Sequence, residues 1–330
     1  MNLSTSISTV GFGSIEQSVT TRQKHNAYQY DIASTFAMGE FFPEKYNLKI
    51  PMYVGMSEAI LSPQYNPLDP DIALKASLEE LETQAEKDSL RYITQDYTQR
   101  KSINFSNIRK GQSTDARKKK TSLYALENFS GTYSYNETNS RNIHVKEQTT
   151  INTKAALSYN YSAKPKNIKP FSKVKFLKGK YLRLIKDFNF YTLPKSISFQ
   201  TDLDKYFNKT QIRNINASVF EIEPTYNKVF RWNRNYSVKY DLTRTLKTEF
   251  KVRNSANIDE PYGEFDKNDS DYEAKRDTVW DNFLNFGRPT LYHHTVNVTY
   301  NIPINKLPIT NWISLNTKYT ANLDWMAAPL

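Results

Sequence analysis

Phe230-Arg231-Trp232-Asn233-Arg234-Asn235-Tyr236-Ser237-Val238-Lys239-Tyr240-Asp241-Leu242 is the stretch on which the fold turns. Its even positions are Phe230, Trp232, Arg234, Tyr236, Val238, Tyr240 and Leu242, and its odd ones Arg231, Asn233, Asn235, Ser237, Lys239 and Asp241. Only Arg234 departs from the alternation. A period of two places successive side chains on opposite faces of a strand. After Thr243-Arg244-Thr245 the pattern resumes, with Leu246, Thr248, Phe250 and Val252 alternating with Lys247, Glu249, Lys251 and Arg253. The two runs read as a hairpin with one apolar and one charged face.

The same design recurs along the chain. His294, Val296, Val298 and Tyr300 alternate with Thr295, Asn297 and Thr299. Beyond the connection Asn301 to Pro308, whose two prolines bar a continuous central strand, Ile313, Leu315, Tyr319, Ala321, Leu323 and Trp325 alternate with Ser314, Asn316, Lys318, Thr320, Asn322 and Asp324. That strand is expected to carry a Trp near each end, Trp312 and Trp325. Earlier faces are Tyr28, Tyr30, Ile32, Phe36 and Met38; Ile50, Met52, Val54 and Met56; and Ile151, Ala155, Leu157, Tyr159 and Tyr161. Shorter candidates are Ile103 to Ile108, Phe129 to Tyr135, Ile197 to Leu203 and Ala217 to Tyr226. The sum is about 10–12 strands, most of about 9 to 11 residues, a length that suits a tilted membrane crossing.

Composition favours a wall over a soluble core. Hydrophobic residues make up 38% of the 330, yet 14% are aromatic, with 23 Tyr and 18 Phe against 9 Gly. Disordered chains lack aromatic and β-branched residues, which argues against disorder of the whole. Soluble antiparallel sandwiches also alternate. Three features separate this chain from them: Tyr and Trp toward strand ends, an opposite face rich in charges and amides, and connections that alternate short and long. The short connections are Phe41 to Asn47, Thr243 to Thr245 and Asn301 to Pro308. The long ones are residues 58–97 and 257–289. The expected fold is therefore an all-β, antiparallel transmembrane β-barrel segment spanning residues 1–330, a partial wall with one short helix in a long loop.

That helix is expected in the 58–97 loop, opened by Pro70-Asp71, with Ile72, Leu74, Leu78, Leu81 and Ala85 near helical spacing. The 257–289 loop is rich in acids, and its Tyr262, Phe265, Tyr272 and Trp280 are candidate partner contacts, with Phe283 beside them; a disordered loop is the competing reading. On the charged strand faces, Lys239, Lys247, Glu249, Lys251 and Lys318 are candidate lumen-facing residues. Strand parity between residues 163 and 227 stays open at this point.

No constellation of residues reads as an active site. With no cysteine, neither a disulfide nor a cysteine-based metal site can form. His293 and His294 are adjacent, so on a strand they face opposite ways and do not chelate one metal together. Asp202 and Asp204 share a face, but wall acids are more often solvated charges. Gly11-Phe12-Gly13 is not followed by a helix, so it reads as a bend or bulge instead of a phosphate loop. The formal charge of +11 is densest at Arg117-Lys118-Lys119-Lys120, which no nucleic-acid-binding motif accompanies and which reads as a solvated loop. The expectation is a protein that is not an enzyme and takes no cofactor, metal or nucleic acid.

Several stretches resemble SprA, also called Sov, the outer membrane translocon family of the type IX secretion system of Bacteroidota. They are Val10 to Gln17, Ser62-Pro63-Gln64-Tyr65-Asn66-Pro67-Leu68-Asp69-Pro70-Asp71, Ser102 to Lys110, Glu127 to Glu137, and Asp187-Phe188-Asn189-Phe190-Tyr191-Thr192-Leu193-Pro194-Lys195-Ser196-Ile197-Ser198-Phe199 with Asp202 to Lys205 after it. The resemblance implies a very large single-chain barrel that exports folded cargo, including gliding-motility adhesins, across the outer membrane. It also implies a PorV-like gate protein and a periplasmic plug as partners. Met1 to Thr5 is not a signal peptide and the pattern is interrupted at Leu330, so the chain is expected to be an internal fragment of such a barrel. The alternative is a smaller stand-alone outer membrane barrel acting as receptor or adhesin.

Overall fold

The computed structural model of the chain describes residues 2–12, 23–111, 122–174, 176, 179–215, 220–265 and 267–328. Among them, long strands follow one another in space in the order of the sequence, each antiparallel to the next. They are β1 (Asn2–Phe12), β2 (Gln23–Ala37), β3 (Pro51–Pro63), β4 (Asp96–Lys110), β5 (Phe129–Arg141), β6 (Val145–Ser162), β7 (Ser196–Ile212), β8 (Thr225–Asp241), β9 (Leu246–Asn257), β10 (Arg288–Ile302) and β11 (Leu315–Met326). The sheet is open, with β1 and β11 at its edges. No helix among the described residues is long and apolar enough to cross a membrane.

Residues directly opposite on antiparallel strands share a face. The register therefore joins the alternating runs into two continuous surfaces. One row runs Tyr161, Ile197, Val238, Phe250, Val296 and Ala321; the next runs Asn160, Ser198, Ser237, Lys251, Thr295 and Asn322. The first surface is apolar through its middle; the second is mainly polar, with Tyr53, Leu61, Tyr206 and Leu291 also lying on it.

The strands are also staggered. A row of opposed residues starting at Trp325, near the last residue of β11, passes Tyr292, Asn254, Arg234, Thr201 and Leu157 and reaches Gly131 near the first residue of β5. The slip is roughly 1.2 residues per strand, which at ~3.4 Å rise and ~4.8 Å spacing tilts the strands by about 40°. Among the described residues the buried apolar ones are Leu74, Tyr161, Ala256 and Ile258. The wall has no core of its own, because both of its faces are open.

Several expectations are corrected by this arrangement. Every strand except β1 exceeds nine to eleven residues, up to 18 in β6, because the ladders continue beyond the apolar rows. The strand expected from Ile313 starts at Leu315: the turns Thr310 N–H to Leu307 O and Ile313 N–H to Thr310 O hold Trp312 outside the ladder. Of the candidate Ala217 to Tyr226, residues 217–219 lie outside the described residues, and among the rest only Thr225 and Tyr226 are in a strand. The carbonyls of Phe220 and Ile222 instead accept from the side-chain amides of Asn214 and Gln211. Gly11 pairs regularly with Lys24, so no bulge sits there, and Gly13 lies outside the described residues. Arg117 to Lys120 also lie outside them. Register shifts lie elsewhere: in β4 between Phe105 and Ile108, where Asn107 takes a left-handed φ of 52°, in β7 between Gln211 and Ile212, and in β9 between Ser255 and Ala256.

The helical content is greater than one short helix. Asp69–Ala73 is a short strand paired with Tyr65–Asn66, so Pro70 opens no helix. α1 spans Leu74–Glu79, and a new helix, α2 (Gln84–Thr94), starts at Thr83. Thr83 and Glu86 form a reciprocal capping box there, which divides the run in two. α3 (Arg183–Lys186) lies in the connection after β6. α4 (Tyr272–Leu284) occupies the second long loop, in place of the disordered reading.

We call the end carrying Thr243–Thr245 the turn end and its opposite the loop end. Connections 41–47 and 301–308 are at the turn end, and both expected long loops are at the loop end. The alternation of short and long fails in the middle of the chain. The long connections 111–128 and 163–195 are at the turn end, whereas β5 and β6 are joined at the loop end by residues 142–144 alone. Ladder pairing fixes which end a connection occupies but leaves its length free, and 163–195 is filled by its own ladder, Asn167–Ile168 against Phe190–Tyr191.

Candidate functional site

The polar surface is made by side chains too short or too charged to pack. Lys239, Lys247, Glu249, Lys251 and Lys318 all lie on one face of the sheet, this polar one. Lys239 and Lys251 flank Glu249 at 3.3 and 3.0 Å, and Lys247 and Lys318 lie on one row with Thr299 between them. Asp202 accepts from the Asn233 amide at 2.7 Å and Asp204 pairs with Lys154 at 3.8 Å, so neither acid forms a catalytic pair with the other. His293 bonds Asp324 and the Thr295 hydroxyl on this face. His294 lies on the other face, against the rings of Phe250 and Tyr292. No group of three or more metal-ligating side chains occurs among the described residues.

The loop between β9 and β10 does not stand free. It folds onto the loop-end margin of the apolar surface. Trp232 stacks on Phe283 with centroids 4.8 Å apart and 7° between planes, and on Phe286 at 5.6 Å. Lys205 pairs with Glu260, whose side chain is almost fully buried, and Lys209 with Glu264 at 3.0 Å. Lys228 donates to the Pro261 carbonyl at 3.0 Å. Arg234 is buried, with its guanidinium 4.7 Å from the Trp232 ring and a hydrogen bond to the Phe286 carbonyl. All of these wall residues share the face of Tyr236 and Val238.

Of the candidate contact residues, Tyr262 meets Tyr226 edge-on at 5.5 Å and Phe265 lies under the Lys228 ammonium at 4.5 Å. Tyr272 begins α4, and Trp280 packs edge-on against Phe283 while staying largely exposed. At the base of the loop Arg288 grips both carboxylate oxygens of Asp259, at 2.9 and 3.0 Å. That hydrogen-bonded pairing holds the Asp259 carboxyl below the usual carboxylate range. Sequence reasoning missed Lys205, Lys228, Trp232 and Glu260 as the seat of this loop. The signal was present as cations on an otherwise apolar face.

The other long loop is pinned similarly. Arg141 is sandwiched between Tyr92 of α2 at 4.0 Å and Tyr97 of β4 at 4.4 Å, and donates to the Tyr92 carbonyl. The two ends differ in charge. Connection 163–195 carries ten Lys and Arg against one acid, Asp187, whereas connection 258–287 carries nine acids against Lys267, Lys275 and Arg276. Lys306 donates to Asp187 from the neighbouring turn-end connection at 3.0 Å and keeps that carboxyl low.

Residues 1–78 match a family model, SprA_N, described as a motility related/secretion protein. The stretch Ser62 to Asp71 falls within the matched residues; those from Ser102 onward lie beyond them. No curated protein matches the chain. Over those residues, less than a quarter of the chain, the protein is similar to a family linked to motility and secretion.

Proposed function

We propose that this chain is part of the wall of an outer membrane protein-conducting channel of type IX secretion. The observation that carries the reading is the pair of opposite faces, one mainly polar and one apolar through its middle, with the strands from β5 to β11 staggered to a tilt of about 40°, within the range of membrane-spanning barrels. In this role the apolar surface meets outer membrane lipid. The polar surface, with Lys239, Lys247, Glu249, Lys251 and Lys318, lines a wet passage for folded cargo, gliding-motility adhesins included. The role is passage, with no catalytic step. The rest of the barrel wall covers the edges β1 and β11, and a PorV-like gate and a periplasmic plug are the proposed partners.

The absence of cysteine makes a direct test available. Single cysteines replace Ser237, Thr295, Val238 or Val296 in the protein resident in its native envelope. A membrane-impermeant maleimide is expected to label Ser237→Cys and Thr295→Cys, while Val238→Cys and Val296→Cys react only with a lipid-soluble reagent. Equal labelling of all four by the impermeant reagent overturns the reading in favour of a solvated sheet.

A further inference from the structure

The turn end carries a feature that a passive wall does not need. In connection 163–195 the cations are interleaved with apolar side chains that have no cover: Phe176 is 86% exposed, Tyr181 68%, Leu193 49% and Ile185 47%. Such exposure is costly in water and ordinary at a bilayer boundary, where aromatic rings and cations occupy the headgroup layer. The connection is also held on the apolar side of the wall. The hydroxyl of Tyr240, an apolar-face residue, donates to the Tyr191 carbonyl at 2.8 Å, and the Tyr191 N–H bonds the Leu242 carbonyl. Tyr159, Tyr161, Tyr240 and Tyr300 end the apolar rows at this same margin. The single acid of the segment is occupied by Lys306, so its positive charge is not offset from within.

We propose that connection 163–195 is an anchoring platform for anionic glycerophospholipid, with Lys164, Lys166, Lys169, Lys173 and Arg183 binding headgroup phosphates while Phe176 and Tyr181 enter the adjoining leaflet. The proposal rests on the channel-wall reading and deepens it by naming the lipid chemistry at one rim. Charge complementarity and continuity with the apolar rows select a lipid over an acidic protein. The acidic loop end has neither the charge nor the same relation to phosphate, so the platform belongs to one leaflet only.

Trp312 reports on this rim, because it is exposed and its connection touches the platform through Lys306. Trp325 lies on the apolar face toward the loop end. The full-length protein is placed in bilayer discs in two single-tryptophan forms, one retaining Trp312 and one retaining Trp325. Each receives brominated phosphatidylglycerol or brominated phosphatidylcholine at equal mole fraction.

Trp312 is expected to be quenched about threefold more effectively by the phosphatidylglycerol, and Trp325 equally by both. Replacing Lys164, Lys166, Lys169 and Lys173 with Gln is expected to return the Trp312 ratio to about one, with Trp325 unchanged. Equal quenching of Trp312 by both lipids in the unsubstituted protein overturns the platform while leaving the wall reading intact, and so does an unchanged preference in the Gln variant. If neither lipid quenches Trp325, the wall reading itself fails, and the platform with it.

Discussion

Arg234 breaks the alternation of its strand, and the structure gives the reason. A guanidinium on an apolar face is expensive unless its donors and its flat surfaces are used. Here Trp232 and Phe286 supply ring faces, and the Phe286 carbonyl and Asn254 supply acceptors. Arg234→Ala is expected to weaken loop docking by about 2 kcal/mol, a change of roughly thirtyfold in the undocked population. The rate of proteolytic nicking within residues 258–287 of the native protein measures it. Gly287 works at the same place from the backbone side. At a φ of 69° an added Cβ would meet the Asn257 carbonyl oxygen at 2.8 Å. Gly287→Ala is therefore expected to raise the same nicking rate, at a cost of about 1–2 kcal/mol.

The Asp259–Arg288 pair predicts an acid dependence. The folded carboxyl titrates below its ordinary 3.8, so its contribution is present above that value and fades as pH falls through the lowered one. The environment of Trp232, followed by fluorescence, should change below about pH 3.8, and Asp259→Asn should remove that transition while leaving the loop already loosened at neutral pH.

At the scale of elements, sequence and structure part company where side chains compete with the ladder. The capping box at Thr83 and Glu86 cut one expected helix into two. The amides of Gln211 and Asn214 took the carbonyls that a strand from Ala217 would have used. Both are local hydrogen-bond contests that hydrophobic periodicity does not register. The bulge in β4 is a third case, built on a left-handed Asn107. Asn107→Val is expected to cost about 1–2 kcal/mol and Asn107→Gly close to nothing. The two variants differ in the urea midpoint at which the refolded protein loses its β-sheet circular dichroism, the Val form being lower.

For the molecule as a whole, the faces are the property that counts. A one-residue shift moves every following side chain to the opposite face, and a two-residue shift moves none. Insertion of one Thr between Phe250 and Lys251 should therefore abolish stable membrane integration of the protein. Insertion of two should largely restore it, as read by retention in carbonate-washed membranes. The opposed charges of the two rims belong to this scale as well, since no one strand carries them.

The sequence by itself marked most of the strands and, outside residues 163–227, which residues share a face, because a period of two is a local property of neighbouring residues. It also singled out Arg234 as the residue that departs from the alternation. Only the tertiary structure decided how the connections divide between the two ends, the stagger that tilts the wall, and the seating of the acidic loop on Trp232, Lys205 and Lys228. These depend on register and on contacts between residues far apart in the chain, such as Lys205 with Glu260, which no local pattern encodes.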